Sequence, residues 1–153
     1  MIYEGTNEIH AVDLLIRKVI VDQGGKITAL LRTIHDEADL CATCPGCEPF
    51  GNTLRALYDD IMLATQALTT ESGEYPEHAY RVAANYLRLI GLSLVGSFWA
   101  RAARVSTPRA ADAFYRTKLE TANFFFNYLL PETHFRLDLI NRRRNPLPIV
   151  AVE

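Results

Sequence analysis

The sequence has little of what marks several large protein classes. Three cysteines occur in 153 residues, and so small and odd a number excludes a secreted scaffold held by paired disulfides. No apolar run approaches the roughly 20 residues needed to cross a bilayer. The nearest candidate, Leu89 to Ala100, is twelve residues closed in by Arg88 and Arg101 and reads as a buried helix, not a span. The N-terminus lacks the basic, apolar and small-residue succession of a signal peptide, so the expected compartment is the cytoplasm or an organelle matrix. There is no Gly-x-Ser-x-Gly, Walker-type or dinucleotide glycine pattern. His10, His35, His78 and His134 share no i,i+4 spacing and read as surface or capping residues. No internal repeat and no low-complexity tract is present.

What remains is the composition of one helical core. Hydrophobic residues make up 49% of the chain, enough to bury a substantial interior. Leu, Ala, Arg and aromatic residues are plentiful, while the eight glycines and seven prolines fall mainly at breaks between apolar-periodic runs. No strand-like alternation persists. Charge is uneven. Residues 1–80 carry 13 acidic and 5 basic side chains, a net of −8, whereas residues 81–153 carry 5 acidic and 11 basic, a net of +6. Two readings stay open: complementary helix surfaces within one domain or a homodimer, or a basic face for phosphate-bearing partners.

Periodicity predicts an all-α, up-and-down bundle of five or six helices. After an extended start at residues 1–5, Ile9, Val12, Leu15 or Ile16, and Val19 mark a first helix, with Asp13 and Arg17 as an i,i+4 pair. Gly24 and Gly25 end it, and Ile27, Leu30, Leu31 and Ile34 carry a second helix to about Leu40. Asn52 or Thr53 can cap a third, which Ser72 to Pro76 breaks. Between Ala79 and Ala103 apolar groups appear on every face and Gly91 and Gly96 permit close approach, so this is the expected central helix. Thr107-Pro108 reads as the N-cap and first residue of a fifth helix, with Ala111, Phe114, Tyr115, Ala122, Phe126 and Leu129 on one side. Pro131 ends or kinks it. A sixth runs from about Glu132 to Arg142, and Pro146 and Pro148 leave an extended tail.

Two clusters outside any catalytic motif invite chemistry. Cys41, Cys44 and Cys47 form C-x2-C-x2-C in the loop after the second helix. The spacing suits thiolate ligation, but a fourth ligand would have to come from His35, Asp39, Glu48 or a second chain, so these are weak metal candidates beside a redox disulfide or ordinary loop thiols. Arg142, Arg143 and Arg144, with Arg136, Arg101, Arg104 and Arg109, could hold phosphates of a nucleic acid or of coenzyme A. The negative net charge and the lack of aromatic-basic interleaving argue against nucleic acid.

Residues 2–9 read Ile-Tyr-Glu-Gly-Thr-Asn-Glu-Ile, and here the chain resembles the acyl-CoA dehydrogenase family, whose members carry Tyr-Glu-Gly-Thr ahead of a long C-terminal helix. Tyr86-Leu87-Arg88, Trp99-Ala100-Arg101 and the run from Lys118 to Glu132 look like the extra helical domain of a larger-subunit branch of that family. The resemblance implies that residues 1–23 are the catalytic-base loop and first helix, and residues 24–153 the additional bundle. It implies an FAD-dependent enzyme that introduces a double bond α,β to an acyl-CoA thioester. Glu4 would be the base, Tyr3 and Gly5 would bind substrate, and Thr6, Asn7 and Glu8 would touch FAD. Taking a proton α to a thioester carbonyl needs a carboxylate within hydrogen-bond reach in a dry site. By itself the chain would be inactive and would retain no flavin, because the dehydrogenase domains that wall the site lie upstream. A plainer reading of residues 4–8 is a polar cap with acidic groups favourable to the helix dipole. On that reading the protein is a non-catalytic interaction module that assembles with another chain or binds nucleic acid.

Overall fold

Helix breaks and apolar spacing set the element order, and the computed structural model describes residues 5–142. Six α-helices are present among the described residues, with no strand. They are α1 (Gly5–Val12), α2 (Gly25–Ala42), α3 (Glu48–Glu71), α4 (Pro76–Ser106), α5 (Ala113–Phe124) and α6 (Glu132–Asn141). α1 continues without a break into a wider π-helical stretch, Asp13–Ile20, and α5 likewise into Phe125–Leu129. The bundle and its long apolar central helix are those the periodicity predicts.

The widened turns explain one departure. Buried residues in the first helix follow Ala11, Leu15 and Val19, a strict spacing of four, which suits a helix with more residues per turn than 3.6. Ile9, expected on the same stripe, is left outside and 69% exposed. The helix ends in a turn where Gln23 and Gly24 take φ of 51° and 77°, and the Gly24 N–H donates to the Val19 carbonyl at 2.8 Å.

Two helix starts also differ from expectation, each for a local reason. α3 begins at Glu48 instead of Asn52 or Thr53, because Pro49 suits a first helical turn. Thr107 does not cap α5. Its hydroxyl donates back to the Ala103 carbonyl at 2.9 Å, and Thr107–Arg109 forms one 3-10 turn after α4. Asp112 caps α5 instead, its Oδ1 accepting from the Phe114 N–H at 2.8 Å. Phe114 and Leu129, expected on the packed side, are exposed, while Ala122 and Phe125 are buried.

The core is one cluster in which α4 meets α1, α2, α3, α5 and α6. Leu15, Leu31, Ile34, Leu54, Ile61 and Leu89 are wholly buried, each stabilising the fold by about 1.5–3 kcal/mol relative to exposure. Tyr86 is also wholly buried, and its hydroxyl lies 2.8 Å from Thr65 Oγ1. Thr65 gives its own proton to the Ile61 carbonyl at 2.7 Å, so Tyr86 is the donor in that pair. Close approach is carried by Gly51, not by the glycine expected at position 91. A Cβ on Gly51 would stand 2.7 Å from the Ala38 carbonyl oxygen and 2.9 Å from the Ala42 nitrogen, whereas one on Gly91 would meet nothing within 4 Å. Gly96, the other glycine expected to permit packing, faces Leu130.

By length and hydropathy alone Pro76–Arg109 is apolar enough to cross a membrane, but half of its most apolar window is buried inside the bundle, as in a core helix. α4 nevertheless keeps an open strip. Tyr80, Val95, Phe98 and Val105 are 41–65% exposed along one side of it.

Candidate functional site

Gly5 opens α1, and Thr6, Asn7 and Glu8 follow in its exposed first turn. Tyr3 and Glu4 lie outside the described residues. Asn7 and Glu8 line an open cavity of about 450 Å³ together with Ala84, Leu87, Arg88 and Gly91 of α4 and Arg136 of α6. Gly5 and Thr6 are not among its lining residues.

Two of its lining residues, Arg88 and Arg136, belong to one arginine–carboxylate network. Arg88 donates from Nε and Nη2 to the two oxygens of Glu132 at 3.1 and 3.0 Å. Arg136 donates to Glu132 Oε1 from Nε and Nη2 at 2.9 and 2.7 Å, and from Nη1 to Asn85 Oδ1 at 2.9 Å. Hydrogen bonds from Arg88 first and Arg136 second hold the Glu132 carboxyl down at about 2. The two guanidiniums are thus fixed in position by one carboxylate, leaving a surplus of positive charge beside Asn7 and Glu8.

The three cysteines of the loop have different surroundings. No group of three or more His, Cys, Asp or Glu among the described residues is placed to hold an ion. Cys41 faces Glu37 Oε1 and the Ala100 carbonyl, at 3.6 and 3.7 Å, and Cys47 faces Thr107. The supplementary ligands are engaged elsewhere. His35 stacks edge-on against Tyr58 and lies 3.5 Å from Asp39, which also pairs with Arg55. Glu48 accepts from the Gly46 N–H at 2.7 Å.

The arginines expected to form a phosphate-binding face are largely occupied within the chain. Arg104 donates to both oxygens of the buried Glu37 at 2.7 and 3.1 Å, tying α4 to α2. This pair joins the acidic and basic halves of the chain. Arg109 donates to the Tyr115 hydroxyl at 2.8 Å and lies over its ring. Arg142 folds back on Asp138, while Arg143 and Arg144 lie outside the described residues.

Comparison with known families identifies the family of the bundle. The family model described as "Acetyl-CoA dehydrogenase C-terminal like" matches residues 26–147. The chain belongs to this family. No match was found among curated proteins or among solved structures. The acetyl-CoA dehydrogenase C-terminal-like span takes in the cysteine loop, α3 to α6 and both arginine–glutamate networks, whereas residues 2–9 lie ahead of it. The Arg88–Glu132 contact joins two of the stretches on which the resemblance rests, a meeting that sequence spacing gave no sign of. Glu37 could have been found: it sits among Ile34, Ala38 and Cys41 on the buried side of α2, where an acidic residue needs a cationic partner.

Proposed function

We propose that this acetyl-CoA dehydrogenase C-terminal-like chain is the C-terminal part of an FAD-dependent acyl-CoA dehydrogenase, with residues 1–23 as base loop and first helix and residues 24–153 as the added bundle. The family match carries this reading. The position of Asn7 and Glu8 in the first turn of α1, lining an open cavity, supports it.

Glu4 takes the α proton of the acyl thioester, and its backbone N–H polarises the thioester carbonyl as enolate character develops. Tyr3 lines the acyl pocket, and Gly5 lets the backbone come close to the substrate. Bound FAD supplies the two-electron acceptor for the β hydride. Thr6, Asn7 and Glu8 would help to hold the cofactor. They fit a polar edge of it, since the first-turn N–H groups of a helix have no intrahelical partner and present a partial positive charge. The apolar walls around the flavin ring and the acyl chain come from the dehydrogenase domains, so the chain alone turns nothing over.

Those domains are the partner proposed for the open strip of α4. Gly91 lines the cavity at Asn7 and Glu8, and Val95 and Phe98 continue from it along the helix. A body seated over Asn7 and Glu8 therefore also covers the apolar strip, as large exposed patches generally call for. The exposed side chains Phe114, Phe124 and Tyr128 of the α5 segment are left for a second copy in a homodimer.

The test joins the chain to the reading frame upstream of the Met1 codon and compares it with the chain alone. Joined, the protein holds flavin and bleaches it on adding acyl-CoA. Glu4→Gln then slows that reduction by about 10²- to 10⁴-fold with the flavin retained. Turnover by the chain alone, an unaffected Glu4→Gln enzyme, or a stop codon directly upstream overturns the reading in favour of a helical interaction module.

A further inference from the structure

The turn joining α2 to α3 places two cysteines at its corners. Cys44 and Cys47 flank Pro45-Gly46, and the Cys47 N–H donates to the Cys44 carbonyl at 2.9 Å. Proline at the second position and a φ of 85° at Gly46 in the third make this a type II turn. Only glycine takes that third position without strain. A β-turn holds its first and last Cα atoms within about 7 Å, and a disulfide closes over about 4.4–6.8 Å. The backbone is therefore already shaped for a bond between these two sulfurs.

The two thiols differ in access. Cys44 is half-buried and lines an open cavity of about 570 Å³ with Leu40, Thr43, Arg104 and Pro108. Cys47 is wholly buried, its sulfur 3.2 Å from Thr107 Oγ1. Because Thr107 gives its proton to the Ala103 carbonyl, the Cys47 thiol is the donor of that contact. Burial pushes Cys47 up, with the neighbouring Cys44 acting in the same direction. The third cysteine is a bystander. Cys41 faces Glu37 and Ala100 in the core, and burial pushes it up to about 12.

We propose that Cys44 and Cys47 form a dithiol site that reacts with small-molecule disulfides of the glutathione class and closes to an intramolecular Cys44–Cys47 disulfide. The Cys44 thiolate attacks one sulfur of glutathione disulfide, the glutathione S–S bond breaks, and one glutathione leaves as thiolate and takes up a proton. Cys47, giving its proton to solvent, then attacks the Cys44 sulfur of the mixed disulfide and releases the second glutathione, which is protonated in turn. Two cysteine thiols are oxidised by two electrons, and one glutathione disulfide is reduced to two thiols. Arg104, held by Glu37, lines the same cavity as Cys44. Closure removes the S–H that Cys47 offers Thr107, so the α2–α3 turn loses its bond to the end of α4.

The full chain, reduced and then equilibrated with glutathione buffers from fully reduced to fully oxidised, is quenched in acid, unfolded, alkylated and mapped by mass spectrometry. The expected product has one Cys44–Cys47 bond, an alkylated Cys41 and no lasting glutathione adduct, and excess reduced glutathione reverses it. In Cys47→Ser the adduct persists on Cys44; in Cys44→Ser both remaining cysteines are recovered alkylated. A lasting adduct on wild-type Cys44, a disulfide that includes Cys41, or three free cysteines after exposure to the fully oxidised buffer overturns the proposal.

Discussion

Arg88 grips Glu132 through both carboxylate oxygens, at 3.1 and 3.0 Å, and so fastens the middle of α4 to the first turn of α6. Arg136, one turn further along α6, closes on the same group. Glu132 is held at about 2, below the ordinary value of 4.5, so the native state favours its ionised form. That contribution is fully present above the ordinary carboxylate value and is lost as pH falls from about 4.5 towards 2. Since Arg88 and Glu132 reach solvent, it amounts to no more than about 1 kcal/mol. Urea melts between pH 5 and 2 should show a shallower acid slope in Glu132→Gln than in the wild type.

Gly51→Ala tests the contact between α2 and α3. The new methyl would press on the Ala38 carbonyl oxygen and the Ala42 nitrogen, backbone atoms that cannot swing away. Overpacking of this kind costs about 1–3 kcal/mol or more. Chemical denaturation should give a loss in that range, and Gly91→Ala, where nothing stands within 4 Å, should be neutral or slightly stabilising through its better helix propensity.

The Glu37–Arg104 pair should show the opposite asymmetry. Glu37→Ala leaves the Arg104 guanidinium without its carboxylate partner and also removes the group that Cys41 faces. Arg104 keeps a side-chain exposure of 26%, which limits the loss to about 2 kcal/mol, below that for a fully buried pair. Replacing both, Glu37→Met with Arg104→Met, should recover much of the stability in a double-mutant cycle.

Alkaline stability should depend on Tyr86. Its folded-state value is pushed up to about 12 by burial, from 10.0. Folding therefore favours the neutral phenol, and stability present below pH 10 is lost as pH rises towards 12. Tyr86→Phe should flatten the loss seen in melts above pH 10. At neutral pH it should cost about 1 kcal/mol for the hydrogen bond given to Thr65.

Much of the architecture was legible because helices announce themselves locally. The break at Gly24 and Gly25, the interruption at Ser72–Pro76 and the last helix from Glu132 each follow from residues within a few positions of the boundary. Boundaries were misplaced where a competing local interaction won, as when Thr107 bonds back to Ala103 instead of forward. The candidate site was legible only in part. Asn7 and Glu8 came from the motif, but the arginines that share their cavity stand far along the chain and bear no sequence relation to them.

The sequence by itself determined that the chain is helical, where its helices break, that α4 is the core helix, and the family to which the chain belongs. Each of these rests on near-neighbour spacing, on Pro and Gly backbone preferences, or on short residue strings. Only the tertiary structure decided that Cys41 faces Glu37 and the Ala100 carbonyl, that Glu132 serves two arginines, and that Gly51, not Gly91, admits a neighbouring backbone. These are matters of which faces meet after packing, and packing joins residues through contacts between side chains distant in sequence, which periodicity along one helix cannot encode.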